Sequence, residues 1–240
     1  MNWLELVVKF VNKKWNKMFN YVITGFDEKY WNLWGESWII SLKELAEFDL
    51  SNTIIIGYDL SEKTKQKILG FGVRLVESKP TKNFRFETVK NICKLLKEQE
   101  EMNFAYWDAD VYFQKNIDEI FKSGDKLLAS KNCGFIGGNS HSIKVLDEVL
   151  KIIELTGQEK HFNENLIDYF SCLLQFVDSK YNFRNLKTDD QIVVHPNRIK
   201  DLTHRNVLFW ERHKSLYSKY TKKRSNVPTL KLKPIFKSWL

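Results

Sequence analysis

The sequence predicts an α/β protein of the Rossmann-like class, with a mostly parallel central sheet flanked by helices. Three observations carry this expectation. Short apolar runs alternate with segments of helical spacing from Tyr21 to Trp107, and those runs are rich in β-branched and aromatic residues. The chain of 240 residues is also long enough to close one sizeable core. Strand and helix alternating at this spacing is the pattern of βαβ units, which build a parallel sheet covered on both faces.

Taken in order, the opening segment carries Trp3, Val7, Phe10, Val11, Trp15 and Met18 at helical spacing, with Lys9, Lys13, Lys14 and Lys17 elsewhere. It predicts a basic amphipathic helix over residues 1–20. Such a helix packs on a domain or lies in an anionic membrane interface, and the stripe alone fits both. Residues 21–24 read as a buried strand, and Trp38, Ile39, Leu42, Leu45 and Ala46 as a helix face. Residues 53–57 form a second strand, 62–69 a helix and 73–76 a third strand. Phe86, Val89, Ile92, Cys93 and Leu96 mark another helix face before a fourth strand at 104–107.

Beyond this point the pattern loosens. Residues 133–136 read as a strand running into Gly137 and Gly138. Ser142 is the expected cap of a helix using Ile143, Leu146, Val149, Leu150 and Ile153. A helix is expected over 165–176, with strands at 192–194 and 207–210. The Lys-rich end, with Pro228 and Pro234, predicts no regular element.

The net charge of +8 resides in the tail. Over residues 198–240, twelve Lys or Arg face only Asp201 and Glu211, so the preceding 197 residues carry a net −2. The expected division is therefore an N-terminal helix over 1–20, a main domain over 21–197 and a basic extension over 198–240. A basic tail fits an anionic membrane, a polyanionic ligand or nucleic acid. Cys93, Cys133 and Cys172 are far apart and odd in number, which favours a reducing, cytoplasmic setting, with peripheral membrane association through the helix and tail. No run approaches the roughly 18 apolar residues of a spanning helix.

The stretch from Phe104 to Phe113 carries the chemistry. Asp108 and Asp110 interrupt an apolar, aromatic run at the end of the fourth expected strand, and in extended backbone residues two apart face the same side. Ionised carboxylates beside a core need compensation, and a divalent cation such as Mg²⁺ or Mn²⁺ provides it while leaving sites for substrate phosphates. In open α/β sheets, ligands bind beyond the carboxyl ends of the strands. The competing interpretation is a helix cap or charged turn.

The apolar run ending in Asp108-Ala109-Asp110-Val111 resembles the DxD motif of GT-A fold glycosyltransferases, in particular sugar transferases related to bacterial lipopolysaccharide galactosyltransferases. The resemblance spans residues 21–194 through several short motifs. It implies a GT-A fold, a UDP- or GDP-sugar donor, and a Mn²⁺ or Mg²⁺ ion held by Asp108, Asp110 and the donor diphosphate. The acceptor hydroxyl would belong to a glycan, glycolipid or protein.

It further implies nucleotide contacts from Thr24, Gly25 and Phe26 and a donor-sugar contact from Arg85. Asn132-Cys133-Gly134 resembles the family's Asn-Ala-Gly strand beneath the sugar. Asp190 and Gln191 resemble its Asp-Gln pair beside the reacting sugar, where a carboxylate suits a general base. Each of these stretches also reads as an ordinary turn, helix start or core strand. The chain departs from the family near its end: Lys233-Pro234 and Trp239 are present, but no His stands just before them. His195, His204 and His213 are therefore the candidates for a third metal ligand, and retaining and inverting stereochemistry both remain open.

Walker, GxGxxG, GxSxG, HExxH and paired CxxC signatures are absent from the sequence. Two other readings compete: a basic nucleic-acid-binding module, the less favoured partner class, and a sugar-nucleotide pyrophosphorylase or hydrolase. The latter usually opens on a Gly-rich basic phosphate loop, which Gly25-Phe26-Asp27 does not resemble.

Overall fold

The computed structural model describes residues 19–79, 81–122, 124–182, 191–195 and 213–221. The expected N-terminal helix lies outside them apart from residues 19–20, as do the strand at 207–210, Asp190, His204 and the Lys222-Lys223-Arg224 run.

A seven-stranded sheet has the order β3-β2-β1-β4-β7-β6-β8. Its strands are β1 (Phe19–Asp27), β2 (Thr53–Tyr58), β3 (Arg74–Ser78), β4 (Met102–Trp107), β6 (Leu127–Ala129), β7 (Phe135–Asn139) and β8 (Leu174–Phe176). The β1-β2, β2-β3, β1-β4 and β6-β8 pairs are parallel, whereas β7 runs antiparallel to β4 and β6. A second, two-stranded sheet pairs β5 (Tyr112–Phe113) with β9 (Val193–Val194). The helices are α1 (Glu36–Glu44), α2 (Glu62–Leu69), α3 (Phe84–Leu96), α4 (Ser140–Leu155), α5 (Phe162–Phe170) and α6 (Lys214–Thr221). The mostly parallel, helix-flanked architecture is the expected one.

Strand alternation divides the core into two layers. Val22, Phe26 and Ile55 face one layer with Trp38, Trp107 and Phe113; Ile23, Ile54 and Ile56 face the other with Phe86, Val89 and Ile92. The first layer is aromatic. Trp38 meets Phe26 and Phe113 edge-on at centroid distances of 6.1 and 5.3 Å, and Trp107 meets Phe113 at 5.2 Å.

Several boundaries differ from expectation. β1 starts at Phe19, inside the stretch assigned to the N-terminal helix, because Phe19 and Asn20 continue the ladder against Met102 and Asn103 of β4. The cap of α4 is Asn139, which accepts from the backbone N–H groups of His141 and Ser142, while Ser142 is buried within the helix. The helix expected over 165–176 ends at Phe170, and Leu174–Phe176 instead joins the sheet as edge strand β8. A three-residue strand has too little alternation to be read locally, and its pairing to β6 decides it. Lys214–Thr221 is helical where no element was expected; Lys219 reaches Glu44 of α1 at 2.6 Å, and the Tyr220 hydroxyl also donates to it. The Lys219 hydrogen bond, with that of Tyr220, holds the Glu44 carboxyl below its usual range.

Strand order locates a crevice. The chain runs outward from β1 to β2 and β3, then returns to place β4 on the opposite side of β1. The gap at the carboxyl ends of β1 and β4 is thus the topological switch point, where open α/β sheets bind ligands.

Candidate active site

Asp108 directly follows β4 at this switch point. It is buried, and its backbone N–H donates to the Gly134 carbonyl at 3.0 Å. Its Oδ1 accepts from the Tyr106 hydroxyl at 3.0 Å and its Oδ2 from the Arg85 Nη2 at 2.5 Å. Tyr106 and Asp108 share a side of the strand through its two-residue period. Asp110 reaches the same place differently, because Ala109 and Asp110 lie in a turn. The expected convergence of the two acids therefore holds, but the turn produces it rather than extended backbone.

His195 completes the group. Its Nε2 lies 3.0 Å from Asp110 Oδ1 and 4.0 Å from Asp108 Oδ2, and ligand atoms of the three residues all fall within 4.8 Å of one another. The small sheet explains this placement. β5 follows the acidic turn, β9 precedes His195, and the register Tyr112↔Val194 brings the next residue of β9 beside the residues before β5. Of the three candidate histidines, His195 thus stands beside the acids, while His213 lies against Tyr112 at a centroid distance of 6.3 Å.

Two carboxylates and an imidazole form a mixed oxygen and nitrogen donor set that suits Mn²⁺, and positions left open would take substrate oxygens. Gly134 makes room for the cluster. A Cβ there would fall 2.5 Å from Asn182 Nδ2, 3.0 Å from His195 Nδ1 and 3.1 Å from Asp108 Oδ2.

Arg85 stands in the first turn of α3 with its side chain 32% exposed, partly open to the crevice. Burial opposes its charge, but the neighbouring Asp108 and Tyr106 outweigh that and raise its pKa, so it is a permanent cation here. Burial pushes the Tyr106 hydroxyl well above its usual range, with the Asp108 charge adding to it, which keeps it a neutral donor. Burial also pushes the Cys133 thiol up to about 12, which makes a thiolate nucleophile unfavourable. Cys93 and Cys133 are buried and Cys172 is exposed, and the three are free thiols.

The expected nucleotide loop has a different local role. The Thr24 hydroxyl is buried and donates to the Trp107 carbonyl at 2.9 Å, joining β1 to β4 beside Asp108. Phe26 is fully buried against Trp31 and Trp38, so neither ring face is open to a base. Gly25 is required by α3, since a Cβ would fall 2.7 Å from Thr88 Oγ1. Thr24→Val is therefore expected to cost about 1–3 kcal/mol of stability, with nucleotide affinity unchanged. Denaturant titration beside calorimetry checks this, and a selective loss of nucleotide binding would return the hydroxyl to the ligand.

Gln191 is buried at the start of the segment that ends in His195. Asn132 lies in the turn before β7, and its Oδ1 accepts from the Gly134 N–H at 3.3 Å. Sequence reasoning overlooked Tyr106 and Asn182. Tyr106 had a signal, being two residues before Asp108 in a strand; Asn182 had none, since only the tertiary fold brings it near.

No family model matches the chain, and no curated protein matches it. Solved structures with the same architecture include the glycosyltransferase GlyE of Streptococcus pneumoniae TIGR4, with a TM-score of 0.57 and 14% identity over 87% of this chain and 66% of that one. The galactosyltransferase LgtC, in complex with donor and acceptor sugar analogs, has a TM-score of 0.57 and 14% identity over 92% of this chain and 100% of that one. The bifunctional glycosyltransferase WbbM has a TM-score of 0.55 and 12% identity over 85% of this chain and 52% of that one. The chain thus spans just under two thirds of GlyE and about half of WbbM. At these identities the likeness is one of fold, and that fold is GT-A.

Proposed function

We propose that the protein is a metal-dependent glycosyltransferase that moves a sugar from a UDP- or GDP-sugar to an acceptor hydroxyl of a glycan, glycolipid or protein. The convergence of Asp108, Asp110 and His195 at the switch point of a GT-A fold carries this reading. GlyE and LgtC, which share the fold, are glycosyltransferases by name.

Asp108, Asp110 and His195 would hold Mn²⁺ or Mg²⁺, which supplies Lewis-acid stabilisation of charge growing on the leaving diphosphate. The nucleotide would lie over the carboxyl end of β1, where Thr24, Gly25 and Phe26 offer backbone rather than side chains. Arg85 holds Asp108 in place through Nη2, and its charge would pair with oxygens of the donor. Tyr106 donates to the other oxygen of Asp108, so both oxygens of that carboxylate are oriented before substrate arrives, each with a lone pair to spare. Asp190 is the proposed general base for the acceptor hydroxyl, with Gln191 orienting the sugar.

Among the described residues no helix is long and apolar enough to cross a membrane. Peripheral association of a cytoplasmic enzyme through residues 1–18 and the basic tail belongs to the same proposal. Liposome flotation of the full chain beside a form lacking residues 222–240 tests it, and equal binding would remove the tail from the account.

The reaction itself is tested with a panel of UDP- and GDP-sugars, with Mn²⁺ or with a chelator. Nucleoside diphosphate released only with metal is the expected result. Nucleoside triphosphate formed from added pyrophosphate would instead identify a pyrophosphorylase, and no metal uptake in the presence of UDP or GDP would end the glycosyltransferase reading.

A further inference from the structure

Asn182 follows the 3-10 turn Ser179–Tyr181, and its carboxamide stands between His195 and the turn 130–134. Its Oδ1 is 3.1 Å from His195 Nδ1, and its Nδ2 is 2.6 Å from Asn132 Oδ1 and 2.8 Å from Ser130 Oγ. The direction of these bonds follows from two backbone donors whose roles admit no choice. The Gly134 N–H points to Asn132 Oδ1 at 3.3 Å, which makes that atom an acceptor, and the Phe135 N–H points to Ser130 Oγ at 3.1 Å. The Ser130 hydroxyl then gives its own proton to Asn132 Oδ1 at 2.7 Å. Both atoms facing Asn182 Nδ2 are therefore acceptors, so the carboxamide must present its NH₂ to them and its oxygen to His195. An oxygen at that distance pairs with a proton on Nδ1, as the Asp110 oxygen at 3.0 Å pairs with one on Nε2 until a cation takes that position.

We infer that Asn182 is a positioning residue that holds the proton of His195 on Nδ1 and so leaves Nε2, 3.0 Å from Asp110, as the ring atom that ligates the cation. This rests on the metal-site reading above. The relay runs from the backbone of the turn at Gly134 and Phe135 through Asn132 and Ser130 to Asn182, and from there to the imidazole. Packing supports it, because the absence of a side chain at Gly134 is what lets Asn182 approach. The Trp107 indole N–H donates to the Tyr181 carbonyl at 2.9 Å, which anchors the residue before Asn182 to the end of β4. The same strand end thus positions Asp108 directly and His195 through one intermediary.

The test uses the full chain. Asn182→Ala is expected to weaken Mn²⁺ binding about 10- to 100-fold by calorimetry, with the melting midpoint compared alongside. Asn182→Gln keeps both an oxygen acceptor for Nδ1 and an NH₂ for Asn132 and Ser130, and is expected to recover most of that affinity. A second readout needs neither metal nor turnover. In ¹⁵N spectra of an Asp110→Ala background, which takes away the acceptor 3.0 Å from Nε2, with His195 assigned through His195→Ala, the ring is titrated to alkaline pH until one proton remains. With Asn182 in place that proton should be on Nδ1, and with Asn182→Ala added it should shift toward Nε2. A last proton on Nε2 with Asn182 in place, or Mn²⁺ affinity unaltered in Asn182→Ala of the otherwise unsubstituted chain, overturns the inference. If Asn182→Ala does not fold, the spectrum with Asn182 in place and the affinity of Asn182→Gln decide. A chain that takes up no Mn²⁺ at all would end the functional reading, while the spectrum would still report separately on the relay.

Discussion

Asp108→Asn is expected to lower sugar transfer by about 10³-fold and to abolish measurable Mn²⁺ uptake, read by single-turnover kinetics and calorimetry. The substitution keeps shape and removes one negative charge. That charge is the proposed anchor of the cation, and it is also the partner of Arg85 at 2.5 Å. Losing one member of an enclosed pair leaves the other uncompensated, so a stability loss on the order of 3 kcal/mol accompanies the loss of activity. Asp110→Asn separates the two effects. It leaves the Arg85–Asp108 pair intact, so it should lose metal affinity and turnover while its melting midpoint stays near that of the unsubstituted protein. Transfer activity undiminished in Asp108→Asn would remove the carboxylate from the mechanism altogether.

Trp38→Ala carries the largest expected effect on folding, about 3–5 kcal/mol, or a drop of roughly 10 °C in melting midpoint for a domain of this size. Trp38 is fully buried where Phe26 from β1 and Phe113 from β5 meet, so its removal opens a cavity between the main sheet and the small one. Its indole Nε1 finds no acceptor among the described residues. Trp38→Phe should therefore cost much less than the alanine change, since it forfeits volume but no hydrogen bond. The alanine variant should also bind Mn²⁺ less well, because β5 and β9 carry Asp110 and His195 into register. Equal melting midpoints for the two variants would show that the aromatic layer is not what holds the small sheet.

The legible parts of the fold were those whose signal is local. β2, with its run of isoleucines, and α2, capped by Ser61 and bounded by Gly70, were recognisable because propensity, periodicity and punctuation agree within a few residues. β9 forms within the strand expected at 192–194, but β5 and β8 are only two or three residues long, and their pairing partners lie between 45 and 90 positions away in the chain; nothing within so short a window distinguishes those two from loops. The Asp-x-Asp pair was recognisable for a similar local reason, as two charges set into an apolar strand end. That His195 rather than His213 stands beside the pair was not, since it depends on the β5–β9 register.

Phe26 shows the opposite case. The resemblance implies a nucleotide contact there, yet its neighbours Trp31 and Trp38, brought over by the helix that follows, enclose its ring completely. Proximity in sequence to a ligand loop does not say toward which layer a strand residue points, and the period of two sends Phe26 to the aromatic core.

By itself, then, the sequence determined the α/β class, the position of the acidic pair at the end of the fourth strand and the concentration of positive charge in the tail. Each of these is written in composition or in short-range spacing. Tertiary structure alone decided that His195 joins Asp108 and Asp110, that Arg85 and Tyr106 constrain one carboxylate, and that Asn182 faces the imidazole. Those relations depend on strand order and on the close approach permitted at Gly134, and such long-range contacts exist only once the whole sheet has closed.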